Sequence, residues 1–205
     1  MIPANDKILI CPFCKGEKPV LQLRSGNTIG ATQRSDLKTN YPMLPKPSFV
    51  QHCPHCGKYY FITDVETKES SLKSFDKGEL SYKETTEALL QLTSEPLDQQ
   101  KEINLRLLFI HAYNTTYQLA GADNQSVPTD EERSFFRRQV ERLLAIWETE
   151  PLVKAEFLRE TGQFDECLKI LDSVKPKNFF MYEIATRIRS AAQCKSTKVF
   201  IINKQ

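Results

Sequence analysis

Two short stretches of the sequence share one pattern, and together they decide how the first part of the chain folds. Cys11-Pro12-Phe13-Cys14 and Cys53-Pro54-His55-Cys56 each place two cysteines three positions apart. A Cys-x-x-Cys turn directs both sulfurs to one point, and two such turns supply the four tetrahedral ligands of a structural zinc site. The pattern therefore predicts one Zn²⁺ ion bound by Cys11, Cys14, Cys53 and Cys56.

The residues around the two turns are typical of a zinc ribbon. An apolar run leads into each pair, at residues 7–10 and 49–52. Gly16 and Gly57 follow the pairs, and we expect them to let the chain leave each turn at positive φ. The 38 residues between the pairs exceed the roughly 15 to 20 of a compact site. The extra length leaves room for an inserted hairpin and for the proline-rich stretch 41–47.

Cysteine pairs also occur in redox proteins. Cys-Pro-Phe-Cys resembles the motif of glutaredoxins, and Cys-Pro-His-Cys resembles that of periplasmic disulfide oxidases. In those proteins the motif opens an α-helix, whose N-terminus lowers the pKa of the thiol. Here residues 15–19 contain a glycine and a proline that do not sustain a helix, and a strand-forming run follows Gly57. The sequence favours zinc over redox chemistry and over structural disulfides.

The zinc is predicted to be structural. A module of about 64 residues buries only about 60% of the surface of its unfolded chain, whereas a zinc site of this kind supplies roughly 10–16 kcal/mol. Four cysteines also fill the tetrahedral shell and leave no position for a catalytic water. His52 and His55 flank Cys53. We expect them in solvent or just outside the ligands, with replacement of a cysteine ligand by either as the alternative.

Composition excludes several classes of protein. The 205 residues are enough for one ordinary domain, or for a small domain joined to a medium one. With 40% hydrophobic and 26% charged residues, the chain belongs with folded proteins and not with disordered ones. A net charge of +2 excludes a strongly polycationic surface. The sequence shows no apolar run of about 18 residues and no signal peptide at residues 1–6. We expect a cytoplasmic protein without membrane contact.

Glycine, proline and charge change along the chain near residue 64. Residues 1–64 hold seven of the eleven prolines and four of the seven glycines, and their formal charge is +4 against −2 for the remainder. We predict an α+β protein in three parts: a small β-rich zinc ribbon at 1–64, a linker at 65–80 and an all-α domain at 81–205.

Local patterns place the individual elements. Strands are predicted by short β-prone runs at 7–10, 20–24, 29–33, 49–52, 59–63 and 198–202. Helices are predicted by apolar periodicity at 82–92, 97–119, 130–147, 151–162, 164–173 and 180–193. Thr129 and Glu132 form a capping box at the start of the third helix, and Pro151 opens the fourth.

Three further residues carry potential chemistry. Cys167 and Cys194 lie in helical segments without a partner motif, so both are predicted to be small buried packing residues. His111 lies on the second predicted helix, and we expect it in the core or in a groove.

Residues 155–174 resemble the middle of a tetratricopeptide repeat, with Ala155, Gly162, Phe164, Cys167 and Leu171 at its small, turn, aromatic and packing positions. The resemblance implies a helical hairpin at 151–174. The first helix lacks the usual aromatic–leucine–glycine run, and no second copy stands out 34 residues away.

The whole chain resembles uncharacterised bacterial proteins that join an N-terminal zinc ribbon to a tetratricopeptide-like helical domain. The shared segments are 24–28, 42–45, 53–57, 105–108, 155–171 and 198–200. The resemblance implies this architecture and no particular activity.

Three functions remain open at this point. The first is a non-catalytic adaptor or scaffold that binds a protein or peptide partner on its helical hairpins or on the ribbon. The second is a nucleic-acid binder, indicated by basic and aromatic residues interleaved in the ribbon, namely Arg24, Arg34, Lys38, Lys46 and Lys58 with Tyr41, Phe49, Tyr59 and Tyr60. The third is an enzyme with an unrecognised site, for which Arg24–Asp36 is the best small-ligand candidate; its alternative is an exposed hairpin tip.

Overall fold

The computed structural model describes residues 2–3, 7–21, 23–44, 47–70, 80–121 and 125–204. Within them, small antiparallel sheets occupy the N-terminal half and six α-helices the C-terminal half, so the fold class is α+β. Most of the predicted linker, at 71–79, and Lys46 of the predicted basic set lie outside the described residues. In the part that the structure describes, no helix has both the length and the apolar character needed to cross a membrane.

The strands are short, and the described residues contain ten of them: β1 (Ile2–Pro3), β2 (Lys7–Ile10), β3 (Glu17–Val20), β4 (Leu23–Ser25), β5 (Thr32–Arg34), β6 (Thr39–Asn40), β7 (Val50–His52), β8 (Tyr59–Phe61), β9 (Thr67–Glu69) and β10 (Ile201–Lys204). β2 is the middle strand of an antiparallel sheet in the order β3-β2-β9. β7 and β8 form an antiparallel hairpin.

Pairing differs from expectation after β4. An inserted hairpin between the two cysteine pairs would place the predicted strand 29–33 beside 20–24, but β4 pairs with β1, and β5 lies between β10 and β6. The C-terminal β-run, predicted as a late strand, is β10. The strands could therefore be predicted from local sequence, whereas β10, one of the two strands beside β5, lies more than 160 residues further along the chain.

The helices are α1 (Tyr82–Leu92), α2 (Gln99–Tyr113), α3 (Asp130–Ile146), α4 (Pro151–Glu160), α5 (Phe164–Ser173) and α6 (Phe179–Gln193). The predicted capping box at Thr129 is present: its hydroxyl accepts from the Glu132 amide, and the Glu132 carboxylate accepts from the Thr129 amide. The predicted helix at 97–119 stops being α-helical at Tyr113 and continues as a π-helical turn, Asn114–Gln118.

Contact density divides the chain into two compact units. Unit 1 comprises residues 1–32, 40–105 and 204–205; unit 2 comprises 33–39 and 106–203. These units differ in extent from the predicted segments 1–64 and 81–205. A unit of dense contacts is not necessarily a segment that folds independently, so those segments remain a prediction.

Each unit has its own apolar cluster. In unit 1, Leu9 and Val20 from the β3-β2-β9 sheet pack with Tyr60 and with two of the cysteines, Cys11 and Cys53. In unit 2, α4, α5 and α6 pack around the buried residues Ala155, Leu158, Cys167, Leu171, Ile188 and Ala192. α4 and α5 form the predicted helical hairpin, and its turn residue Gly162 has a φ of +78°.

Candidate metal centre

The four cysteines of the two Cys-x-x-Cys pairs come together in unit 1. Their sulfur atoms all lie within 4.8 Å of one another. The Cys11 and Cys56 sulfurs are 3.7 Å apart, and the Cys14 and Cys53 sulfurs are 3.6 Å apart. Cys11 and Cys53 are buried, Cys56 is partly exposed and Cys14 is exposed.

These separations fit a single tetrahedral ion. A regular tetrahedron with a zinc–sulfur distance of about 2.3 Å has edges of about 3.8 Å. A disulfide requires sulfurs about 2.0 Å apart, and all four cysteines are free thiols. Four cysteines this close together could hold one metal ion.

Both turns are built in the same way. In the first, the Cys11 amide donates to the Gly16 carbonyl and the Lys15 amide donates to the Cys11 carbonyl, at 2.9 and 3.0 Å. In the second, the corresponding bonds run from Cys53 to Lys58 and from Gly57 to Cys53, both at 2.9 Å. The fifth residue of each turn is left-handed, with φ of +62° at Lys15 and +71° at Gly57.

The positive φ expected at Gly16 therefore belongs to its neighbour Lys15, and Gly16 has another role. A Cβ at position 16 would lie 2.7 Å from Cγ and 3.1 Å from Cβ of His55. The imidazole thus packs directly on the Gly16 backbone, and His55 Nε2 donates to the Glu17 carbonyl at 3.1 Å. Through these two contacts, the His55 side chain links the second cysteine turn to the first.

Neither flanking histidine belongs to the group of potential ligands, which among the described residues consists of the four cysteines. The His52 ring lies against Tyr59, 5.0 Å between centroids, and its carbonyl accepts from Lys18. The part of either histidine in binding a metal stays a prediction.

The first cysteine pair contains one thiol that ionises readily and one that does not. Burial raises the pKa of Cys11, but hydrogen bonds from the backbone at Cys14 and Phe13 and from neighbouring thiols outweigh it, and the pKa falls to about 7. The Gly16 amide favours the Cys14 thiolate, yet burial and the other three cysteines raise the pKa of Cys14 to about 12. A metal cation bound among the sulfurs would stabilise the thiolate forms and remove the repulsion between neighbouring thiolates.

A groove of about 500 Å³ lies beside the turns within unit 1. Phe13 contributes an aromatic ring that is 51% exposed, and Lys58 Nζ lies 4.7 Å above it. The Gln91 side chain holds the groove wall by pairing with both backbone groups of Tyr59, at 3.1 and 2.9 Å. Glu87 accepts from the Tyr59 hydroxyl at 2.8 Å.

The two remaining cysteines differ from each other. Cys167 is fully buried between α4 and α6, as predicted, and burial raises its pKa to about 11. Cys194 is exposed, so the prediction that it is buried is wrong. It follows the last residue of α6 as the C-cap, where a side chain has left the packed face of the helix.

The basic and aromatic residues predicted for nucleic acid do not form one exposed strip. Tyr59 and Tyr60 are buried in unit 1. Arg34 is buried in unit 2, where its guanidinium pairs with both oxygens of Asp36. Residues 34–36, at the end of the predicted small-ligand stretch, are therefore interior residues and not an exposed hairpin tip.

Sequence reasoning missed a buried polar network in unit 2. Asp36 is fully buried and accepts from Asn114 Nδ2 at 3.0 Å, and the same nitrogen donates to Glu160 Oε2 at 2.8 Å. His111 Nε2 donates to the Asp36 carbonyl at 2.9 Å. Nothing in the sequence joins Asn114 and Glu160 to Asp36, because each of them alone reads as an ordinary polar residue of a helical segment.

Comparison with known proteins adds no relative: family models, curated proteins and solved structures were each searched, and none matches this chain.

Proposed function

We propose that the protein binds one Zn²⁺ ion through Cys11, Cys14, Cys53 and Cys56, and that the ion is structural. The observation that carries this proposal is the pair of sulfur separations, 3.6 and 3.7 Å, close to a tetrahedral edge. Cys11 and Cys53 also belong to the apolar cluster of unit 1, so the ion would fix part of that core. Four thiolates leave no coordination position for a reacting water, which supports a non-catalytic role.

Metal analysis of the purified protein tests this proposal. We expect one zinc per chain, with X-ray absorption giving four sulfur neighbours at about 2.3 Å. Cys11→Ser and Cys56→Ser should lose the zinc and unfold at lower denaturant, whereas the exposed Cys194→Ser should behave as the parent. A metal-free protein that is equally stable, or nitrogen or oxygen ligands in the absorption spectrum, would contradict the proposal.

We further propose that the protein acts by binding an extended peptide segment of a partner protein, as an adaptor or scaffold. The groove beside the cysteine turns supports this role, because about 500 Å³ is in the range of ligand clefts and the Phe13 ring stands exposed in it. Exposed aromatic rings at the centre of a groove are typical anchors of peptide recognition. The α4–α5 hairpin supports the proposed relation to bacterial proteins with a zinc ribbon and tetratricopeptide-like helices.

Affinity purification from the source cells, with and without cross-linking, tests the adaptor role. We expect a specific partner that Phe13→Ala loses and that Ile29→Ala retains. Ile29 is the matched control because it is also apolar, lies in unit 1 and is 72% exposed. Equal recovery by both variants would exclude the groove, and no specific partner at all would count against an adaptor.

Nucleic-acid binding is the second candidate and has less support. Lys58 above the Phe13 ring is the arrangement that favours it, since a base can stack on an aromatic ring beside a cation. Burial of Tyr59, Tyr60 and Arg34 removes three of the residues on which the hypothesis was based. Single-stranded DNA or RNA at low salt should show no shift if the peptide proposal is right, and salt-sensitive binding would favour this candidate.

A further inference from the structure

Unit 2 contains a small cavity with an unusual lining. Its volume is about 230 Å³, and Gln118 and Glu160 line it together with three aromatic rings. The Tyr113 and Phe136 rings stack with centroids 4.0 Å apart, and the Tyr117 ring lies 4.9 Å from that of Tyr113. The cavity therefore combines aromatic faces with two buried polar side chains.

Each of these polar side chains has one oxygen left over. Glu160 is 1% and Gln118 is 8% exposed, and Oε1 of each has no hydrogen-bond partner among the residues that the structure describes. Their other atoms are fixed: Glu160 Oε2 accepts from Asn114 at 2.8 Å, and Gln118 Nε2 donates to the Glu160 carbonyl at 3.3 Å. Buried oxygens held in this way call for a donor, because an unsatisfied buried acceptor destabilises the fold.

Gln118 also ends the π-helical turn Asn114–Gln118 that follows α2. Single π-turns are rare and occur frequently at functional sites, because they turn side chains away from the helical register. This turn supplies Tyr117 and Gln118 to the cavity wall, and Asn114 to the Glu160 carboxyl. The π-helical turn and the two unpartnered Oε1 atoms therefore occur at the same cavity.

The charges around Glu160 favour a cation. Two buried arginines, Arg34 and Arg159, already pair with Asp36 and Glu156. Burial first, and then the charges of Glu156 and Asp36, raise the pKa of Glu160 well above its usual range, while burial lowers the pKa of His111. One added positive charge would balance an ionised Glu160.

The mouth of the cavity does not oppose such a charge. Arg133 lines it, but its guanidinium donates to Asp130 and to the Pro128 carbonyl, both at 2.6 Å. Glu132 does not line the cavity, but its carboxylate accepts from the hydroxyl of the lining residue Tyr117 at 2.7 Å. The guanidinium of Arg133 is thus already paired, and Glu160 is the acidic group of the lining.

We propose that this cavity binds a small organic cation with N–H donors, an alkylammonium or guanidinium compound, which donates to Glu160 and Gln118 while the aromatic rings cover its remaining surface. Aromatic faces beside a carboxylate are the usual receptor for such cations. The volume corresponds to roughly eight waters at about 30 Å³ each, so the ligand is a small free molecule. The site goes beyond the proposed zinc and adaptor roles and depends on neither.

Nuclear magnetic resonance titration of the full-length zinc-loaded protein tests the site with three probes. We expect n-propylammonium to shift the Gln118 side-chain amide and the Glu160 carboxyl resonances in a saturable way. Tetramethylammonium, which has no N–H group, should bind about tenfold more weakly, since hydrogen bonds to a charged group are lost. Neutral n-propanol should not saturate. Equal binding of propanol, or no saturable shift with propylammonium, would overturn the proposal.

Variants locate the binding. Glu160→Gln keeps the shape and removes the charge, so propylammonium should bind about tenfold more weakly, and the proton released on binding to the parent should disappear from calorimetry in two buffers. Glu166→Gln, at an exposed position of α5, is the matched control and should bind as the parent. If Glu160→Gln fails to fold, Gln118→Met should weaken propylammonium binding while the proton release, which comes from Glu160, persists. Unchanged affinity in a folded variant would place the cation elsewhere and overturn the assignment.

Discussion

Replacing Gly16 by alanine tests the packing of the two cysteine turns. The new Cβ would lie 2.7 Å from His55 Cγ and 3.1 Å from His55 Cβ, and nearer still to Cδ2. Carbon atoms in contact prefer about 3.5–4.0 Å, so the imidazole must move by about an ångström. Rotation of the ring relieves the contacts of Cγ and Cδ2 but not that of Cβ, which is fixed to the second turn.

The expected cost follows from these contacts. Overpacking of this kind costs about 1–3 kcal/mol, and loss of the bond from His55 Nε2 to the Glu17 carbonyl adds about 0.5–1.5 kcal/mol. Because His55 is exposed and its ring can move into solvent, the total should lie near the lower end, at about 2 kcal/mol. For a chain of this length that corresponds to a fall in Tm of about 4–8 °C.

A double-mutant cycle isolates the contact. His55→Ala alone should cost about 0.5–1.5 kcal/mol for its hydrogen bond. In that background Gly16→Ala should cost less than in the parent, because the ring is absent, only the 3.1 Å contact to Cβ of residue 55 remains, and alanine reduces the entropy of the unfolded chain. Urea unfolding of the four zinc-loaded proteins gives the coupling energy. If Gly16→Ala costs the same with and without the imidazole, His55 does not join the two turns and the reasoning fails.

Three further predictions concern other parts of the chain. Thr129→Ala removes the cap of α3 and should lower the free energy of unfolding by about 1 kcal/mol, measured in urea; the mid-helix Ser134→Ala should cost less, and equal losses would argue against a capping effect. Asp36→Asn leaves the Arg34 guanidinium buried without its counter-charge and should cost about 3 kcal/mol at pH 7. Burial raises the pKa of Asp36, but His111, Arg34 and Asn114 lower it further, to a value below its usual one. The parent therefore loses this stability as the pH falls from about 5 through the folded pKa, so the gap between parent and variant should shrink in urea titrations at decreasing pH; a constant gap would contradict the ion pair. Removing zinc with a chelator should make the amides of β2, β3 and β8 exchange fast while those of α4 and α5 stay protected, and uniform loss of protection would instead show that all of these elements depend on the metal.

The sequence predicted best where neighbouring residues decide the structure. The two Cys-x-x-Cys turns, the capping box at Thr129 and the turn at Gly162 each depend on residues within about five positions. Backbone geometry and local hydrogen bonds determine such features almost alone. One local prediction was wrong. The glycine that follows the first pair suggested a positive φ at Gly16, but the residue with positive φ in that turn is Lys15.

Features that join distant residues were not predictable in this way. Periodicity indicated a helix up to residue 119, but the last turn is π-helical, with Asn114 turned towards Asp36 and Glu160. Asp36 is 78 residues from Asn114 along the chain, and Asn114 is 46 residues from Glu160. A single sequence gives no hint of such a pairing, because each residue taken alone reads as an ordinary polar position.

The buried polar network of unit 2 and the cysteine cluster of unit 1 both bring acidic groups close together, and a different kind of cation could balance each of them. Each gathers groups that repel one another when they are ionised: four cysteine sulfurs in unit 1, and the carboxyls of Asp36, Glu156 and Glu160 in unit 2. Arginines form ion pairs with two of those carboxyls, whereas Glu160 forms none among the residues that the structure describes. A metal ion would satisfy the sulfurs, and a small organic cation would satisfy Glu160. Since a buried polar atom without a hydrogen bond destabilises the fold, the unpartnered Oε1 of Glu160 is the strongest reason to look for a ligand in unit 2.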